Sequence, residues 1–241
     1  MSLLACTSPP KTNTARSSTH VDAATAAPPD SALNQAQEVR RRLKLPAAED
    51  AYYGIYLNGI KVGWMLSRFE AGPKIKISTQ LEAAVGGLGQ VSSIKLNESR
   101  SYDADSGGLL SLAFEQTAST GAVSVHGESK GDGIHLKVSA GGHVSENVVP
   151  SKDNLESALA TLRMAQTPQL GETRRVEHFD ASLMKSIVVE HRVKSIESRL
   201  FAGVQTKAVE IETVYPDLGI HESSWLDIYG KVLESKIGGF L

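Results

Sequence analysis

Tyr52-Tyr53-Gly54-Ile55-Tyr56-Leu57-Asn58-Gly59-Ile60-Lys61-Val62-Gly63-Trp64-Met65-Leu66 is the stretch that decides the fold class of this chain. Two runs rich in aromatic and β-branched residues meet at Asn-Gly, the pair that best accepts the positive φ needed at both centres of a tight hairpin turn. A β-hairpin is therefore predicted. Downstream, Lys74 to Leu81 alternates through Ile75 and Ile77, Val91 to Tyr102 alternates less cleanly, and Leu109 to Thr117 reads as a strand. Val123–Gly127 and Ile134–Val138 form a second hairpin through Lys130-Gly131-Asp132-Gly133. The period then changes. Leu155, Ala158, Leu159 and Leu162 lie on one helical face behind the capping stretch Ser151–Asn154, and the helix ends before Pro168. Strands resume over Thr173–Phe179, Ser186–Ile196, Val204–Tyr215, Ile220–Asp227 and Lys231–Ile237, the last two joined by Ile228-Tyr229-Gly230. The expected fold is mainly β: one large curved antiparallel sheet, half-barrel or sandwich-like, whose concave apolar face is covered by a single central helix.

Composition narrows the function classes. The 241 residues carry a formal charge of -2, and aromatics make up only 5% of them. That balance offers no basic field and few stacking rings, so no nucleic-acid partner is expected. No window approaches the roughly 18 apolar residues of a membrane-spanning helix. Residues 51–241 form one β-rich domain, long enough to bury a core without metal or disulfide.

The N-terminal part reads differently. Thr7 to Ser31 is Thr, Ser, Pro, Ala, Asn and Asp with hardly an apolar side chain. It cannot bury enough surface to offset its ordering entropy, so residues 1–31 are expected to be a disordered tether. Residues 32–46 are expected to form a short basic helix: Ser31 caps it, Leu33, Ala36 and Leu43 share a face, Pro46 stops it, and Arg40, Arg41, Arg42 and Lys44 complement its C-terminal dipole. Cys6 is the only cysteine, which excludes an internal disulfide and a CxxC pair. Leu3-Leu4-Ala5-Cys6 resembles the bacterial lipobox, and that resemblance implies lipid attachment at Cys6 and a periplasmic or cell-surface location on a bacterial membrane.

No motif carries catalytic chemistry. Gly127-Glu128-Ser129-Lys130-Gly131 fits G-x-S-x-G, but the residues after it predict a strand where a nucleophile elbow needs a helix. Asp103-Ala104-Asp105-Ser106-Gly107 has the opening of a calcium loop but lacks its closing glutamate, with Phe114 at that position. Gly86-Gly87-Leu88-Gly89 lacks the third glycine and the helix of a phosphate-binding loop. The seven histidines, His20, His126, His135, His143, His178, His191 and His221, show no zinc-helix spacing. Glu177, Asp180, Glu190 and Glu197 read as surface charge. No catalytic residue, metal ligand or cofactor site is nominated. Trp64, Trp225 and Tyr52 are the large aromatics to inspect as contacts, and each is expected to pack in the core or the hairpin.

Tyr53-Gly54-Ile55-Tyr56-Leu57-Asn58-Gly59-Ile60-Lys61-Val62-Gly63-Trp64 is similar to the opening hairpin of the N-terminal β-rich domain of bacterial transglutaminase-like proteins. Phe201-Ala202-Gly203-Val204-Gln205-Thr206-Lys207-Ala208 resembles that family's turn into a long strand, and Trp225-Leu226-Asp227-Ile228-Tyr229-Gly230-Lys231-Val232-Leu233 resembles its closing motif. A catalytic core of that family needs a cysteine in a folded setting, and Cys6 stands ahead of the tether. The resemblance thus implies a non-catalytic accessory domain that positions or regulates a catalytic core following Leu241. The closing motif also resembles curved-sheet lipoprotein carriers of the LolA/LolB type, which implies the alternative: a periplasmic carrier of an apolar ligand. The carrier predicts an apolar cavity between the sheet and its covering helix; the accessory domain predicts a filled core.

Overall fold

The computed structural model describes Leu45 and residues 48–87, 90–151 and 153–238. The tether, Cys6 and the basic helix apart from Leu45 lie outside the described residues. Among the described residues, thirteen strands form two antiparallel sheets. The first is an eight-stranded meander of β1 (Ala48–Leu57), β2 (Ile60–Glu70), β3 (Lys74–Gly87), β4 (Gln90–Asp103), β5 (Leu109–Ala118), β6 (Gly121–Lys130), β7 (Gly133–Ala140) and β8 (His143–Val149). The second holds β9 (Thr173–Asp180), β10 (Lys185–Phe201), β11 (Val204–Tyr215), β12 (Ile220–Asp227) and β13 (Val232–Gly238), again in meander order. The mainly β, sandwich-like expectation holds, and the single continuous sheet is corrected to two. Twist makes an open sheet of more than about ten strands curl or split, and here it splits where the helical segment interrupts the meander.

The predicted hairpin is present. Asn58 (φ 51°) and Gly59 (φ 80°) are both left-handed, and Leu57 pairs with Ile60 across the turn. The helix is also found where its cap predicted, but in two pieces. Asn154 Oδ1 accepts from the Ser157 amide at 2.9 Å and opens α1 (Leu155–Ala158). Leu159, at φ -104° and ψ 14°, breaks the run before α2 (Ala160–Gln166). The break lets the two pieces serve different partners. Leu155 and Leu159 join Tyr102, Leu112, Phe114, Ile134, Leu136 and Phe179 in one apolar cluster. Met164 and Ala165 join Val193, Val209, Ile211 and Leu226 of the second sheet in another. Strand β8 has no counterpart in the sequence reading, because this edge strand is exposed on both faces and so shows no apolar alternation.

Gly127 serves packing at the centre of the first sheet, opposite Leu112 on β5 and Leu136 on β7. A Cβ there would stand 2.9 Å from Leu112 Cγ and 2.9 Å from Ile134 Cγ2. Overpacking of this kind costs about 1–3 kcal/mol, so Gly127→Ala should lower the urea midpoint at unchanged m-value. An unchanged midpoint would show that the two side chains yield freely.

Candidate functional site

Strand β4 sets its even-numbered residues on the inner face. Leu96 there is followed by Glu98, Arg100 and Tyr102, which sit across from Thr79, Ile77 and Ile75 of β3. Charges thus stand where the alternation calls for apolar groups, and their partners come from the far side of the molecule. Arg100 Nε and Nη2 reach Glu98 Oε1 at 2.8 and 2.6 Å. Arg100 Nη1 donates to Asp153 Oδ2, and Nη2 donates to the Phe179 carbonyl at 2.7 Å. Asp153 Oδ2 also accepts from the Phe179 amide at 3.1 Å, and Oδ1 accepts from the Tyr102 hydroxyl at 3.3 Å. Phe179 lies on β9, an edge strand of the second sheet. One arginine and one aspartate therefore satisfy the Phe179 amide and carbonyl on the free edge of that sheet and tie it to the first. Burial alone would lower the Arg100 pKa, but the Glu98 and Asp153 charges outweigh burial and raise it, so the guanidinium stays cationic. Burial, helped by the Asp153 charge, raises that of Tyr102 and keeps the phenol protonated.

Above this network lies a cavity of about 280 Å³ between the sheets. Its walls are Ile77, Thr79, Glu98, Arg100 and Tyr102 from the first sheet, His178, Val189, His191 and Tyr215 from the second, and Asp153, Ser157, Ala158 and Thr161 from the helical segment. His178 faces Ile187 across β9 and β10, with His191 farther along the same face beside Thr213 of β11. His191 Nδ1 stands 3.0 Å from Thr213 Oγ1, which leaves Nε2 for the cavity. Thr213 is buried and does not line the cavity, so this pair is a packing contact rather than an activated nucleophile. Burial, with His178 nearby, pushes His191 down to about 4. Burial and the Arg100 charge also lower His178. Both imidazoles are accordingly neutral at pH 7, each with one donor and one acceptor nitrogen. Burial, with Glu222 nearby, raises Tyr215. Among the described residues, the side chains of Thr79, Ser157, Thr161, His178 and Tyr215 make no hydrogen bond to protein. The cavity therefore gathers unengaged, uncharged hydrogen-bonding groups from both sheets and the helical segment, interleaved with Ile77, Ala158 and Val189 and beside the ion-paired Glu98, Arg100 and Asp153.

Of the residues singled out from the sequence, Cys6 and His20 lie outside the described residues, and His178 and His191 alone meet at this site. Ser129 sits at the end of β6 with β7 following, so the G-x-S-x-G match is a strand–turn–strand. Asp103 Oδ1 is used by the turn itself, accepting from the Asp105 amide and from Ser106. His135 pairs with Asp132 at 2.7 Å on the surface. Glu190 lies 3.8 Å from Arg175 and Glu197 3.7 Å from Arg199, so no carboxylate pair forms there. Trp225 packs as expected, buried with Arg199 and Lys236 over its ring at 4.5 and 5.0 Å. Tyr52 does not: it is 72% exposed on the edge strand β1, although its cross-strand neighbour Leu66 is buried. Among the described residues, no group of three or more His, Cys, Asp or Glu side chains is placed to hold a metal ion. Glu98, Arg100, Asp153 and Tyr215 escaped the sequence reading; the available signal was the lapse in apolar alternation after Leu96.

The fold resembles the beta-barrel-like protein of the domain of unknown function DUF1849 from Brucella abortus, with a TM-score of 0.59 and 11% identity over 80% of this chain and 90% of that one. At that identity the likeness extends to the fold alone. No protein-family model matches the chain, and no curated protein does.

Proposed function

We propose that the domain is an extracytoplasmic binding module whose inter-sheet cavity holds a small, uncharged, hydrogen-bonding ligand. The observation that carries this reading is the cavity wall of Thr79, Ser157, Thr161, His178, His191 Nε2 and Tyr215, whose donors and acceptors converge on one space without protein partners. Apart from the buried His191 these side chains are half-buried and face the open cavity, and a hydroxyl- or amide-bearing molecule would replace the water they otherwise meet. The volume sits at the small end of ligand pockets, which begin near about 300 Å³. This modifies the apolar-carrier expectation, since a long acyl chain would strand these groups without partners. Attachment to a bacterial membrane through lipid on Cys6 is part of the proposal, and Cys6→Ser protein should be washed off membranes by high salt, which screens a peripheral contact, under conditions that leave the lipid-bearing parent attached.

The test is a thermal-shift screen of the full chain against neutral sugars and small amides, with an apolar fluorescent dye in parallel. A ligand at a hundredfold excess over its Kd adds about 2.7 kcal/mol, or roughly 5–10 °C for a domain of this size. Thr161→Trp, which fills the cavity from the helix, should abolish the shift. Stoichiometric dye binding with no response to polar compounds would return the reading to an apolar carrier. The accessory role beside a transglutaminase-like core is kept as the second reading, because it needs a packed core, and two buried apolar clusters supply one. Silence in both screens, with capture of such a catalytic core by the full chain, would favour it.

A further inference from the structure

The β1–β2 hairpin carries a surface that the cavity does not explain. Ile60 is 70% exposed, Tyr56 63%, Leu57 49% and Trp64 39%, in addition to Tyr52. These five residues are ordered by depth. Leu57 and Ile60 pair at the apex, flanking the Asn58-Gly59 turn. Behind them the Tyr56 ring lies over Gly54, where a Cβ would come within 2.8 Å of Tyr56 Cε2, and Trp64 is the cross-strand neighbour of Gly54. Tyr52 follows, two residues further from the turn. An aliphatic apex backed by Tyr and Trp, whose rings are apolar and whose tips are polar, matches the polarity gradient from acyl chains to headgroups.

The charge on the hairpin itself has one sign. From Ala51 to Phe69 the chain contains no carboxylate, but it contains Lys61 and Arg68. Arg68 is held by Asp50 at 2.8 and 3.0 Å, away from the apex. Glu82, opposite Trp64 on β3, is paired with Lys95 at 3.2 Å. Among the described residues, Lys61 is the exposed charge of the tip without an ion-pair partner, directly across from Tyr56. A cation beside exposed aliphatic and aromatic groups complements an anionic lipid surface.

We infer that the β1–β2 hairpin tip inserts into the interface of an anionic lipid bilayer, with Leu57 and Ile60 at the acyl boundary, Tyr52, Tyr56 and Trp64 at headgroup depth, and Lys61 on the lipid phosphates. The contact is independent of any acyl group on Cys6 and of the cavity ligand.

The test uses the full chain carrying Cys6→Ser, so that no covalent lipid contributes, and vesicles of phosphatidylcholine with or without 30 mol% phosphatidylglycerol, a composition set for the assay on the order expected of anionic leaflets. The protein should float with the anionic vesicles, and its tryptophan emission should shift to the blue. Trp225 is already buried, so that shift reports Trp64, and Trp64→Phe should remove it. Leu57→Asp/Ile60→Asp should lower the partition coefficient at least about tenfold, and Lys61→Glu should erase the preference for anionic vesicles. All four side chains changed are exposed at the tip, so circular dichroism and melting temperature should match the parent. Absence of flotation, flotation unchanged in the tip variant, or flotation with no movement of Trp64 emission would each overturn the inference. A tip variant that loses a protein partner, in a chain that never binds vesicles, would do so as well.

Discussion

Arg100→Met should cost about 3–5 kcal/mol of folding stability, the range found when one partner of a buried ion pair is removed. The aspartate left behind has a side chain only 1% exposed, against 15% for Arg100 itself. Asp153 would keep its bonds from Tyr102 and the Phe179 amide but lose its counter-charge, and the Phe179 carbonyl would lose its donor. Because Phe179 lies on the edge of the second sheet, the loss falls on the joint between sheets. Arg163 is the internal comparison. Its pair with Glu156 at 3.0 Å is 31% and 54% exposed, and pairs of that kind contribute about 0–1 kcal/mol, so Arg163→Met should barely move the urea midpoint. Arg100→Met/Asp153→Leu removes both charges, and its cost should fall below the sum of the single variants by about 0.5–3 kcal/mol. If Arg100→Met behaved like Arg163→Met, the two sheets would be held by apolar packing alone.

The parts of this architecture that were legible in the sequence are those that local chemistry dictates. Asn58-Gly59 specifies its turn because few residue pairs accept two consecutive positive φ values. Asn154 announces the helix because its side chain caps a backbone amide that nothing else satisfies. Strands with one buried face, such as Ile187, Val189, His191 and Val193 on β10, alternate visibly. β8 has no buried face and therefore no pattern. The helix break at Leu159 was invisible because a spacing of i, i+3, i+4, i+7 fits one continuous helix as well as two pieces serving two sheets. The cavity shows the sharper limit. Arg100 and Asp153 are separated by 53 residues and Arg100 and Phe179 by 79, so no spacing rule connects them. What local sequence does record is the anomaly of Glu98 and Arg100 in line with Ile94 and Leu96. A charge placed at a core position must find a partner when the chain folds.

His191 should make the protein less stable as the solution is acidified from pH 6.5 towards 4. Its pKa in the folded protein, about 4, lies below the ordinary value of about 6.5 for an exposed imidazole. The folded state therefore binds fewer protons than the unfolded chain across that window, and stability rises with pH. The contribution is complete above about pH 6.5 and declines by up to about 1.4 kcal/mol per pH unit, so that roughly 3 kcal/mol has been lost by pH 4. The charges around the pair, Arg100, Asp153, Asp180 and Glu98 near His178 and Glu222 near His191, do not reverse the sign, since burial dominates at both imidazoles. His178 acts in the same direction. Asp50 and Asp132 are also held below their ordinary value by Arg68 and His135, but that value is 3.8, so their protonation falls at the lower edge of the window. Urea unfolding at half-unit intervals between pH 4.5 and 7 isolates the imidazoles. His191→Leu should flatten the slope there while losing about 1 kcal/mol uniformly, because Thr213 gives up its partner. A wild-type profile that is level from pH 7 to 5 would mean that the fold does not keep these imidazoles neutral. The uncharged wall on which the ligand class was argued would then turn cationic as soon as the pH fell below about 6.5.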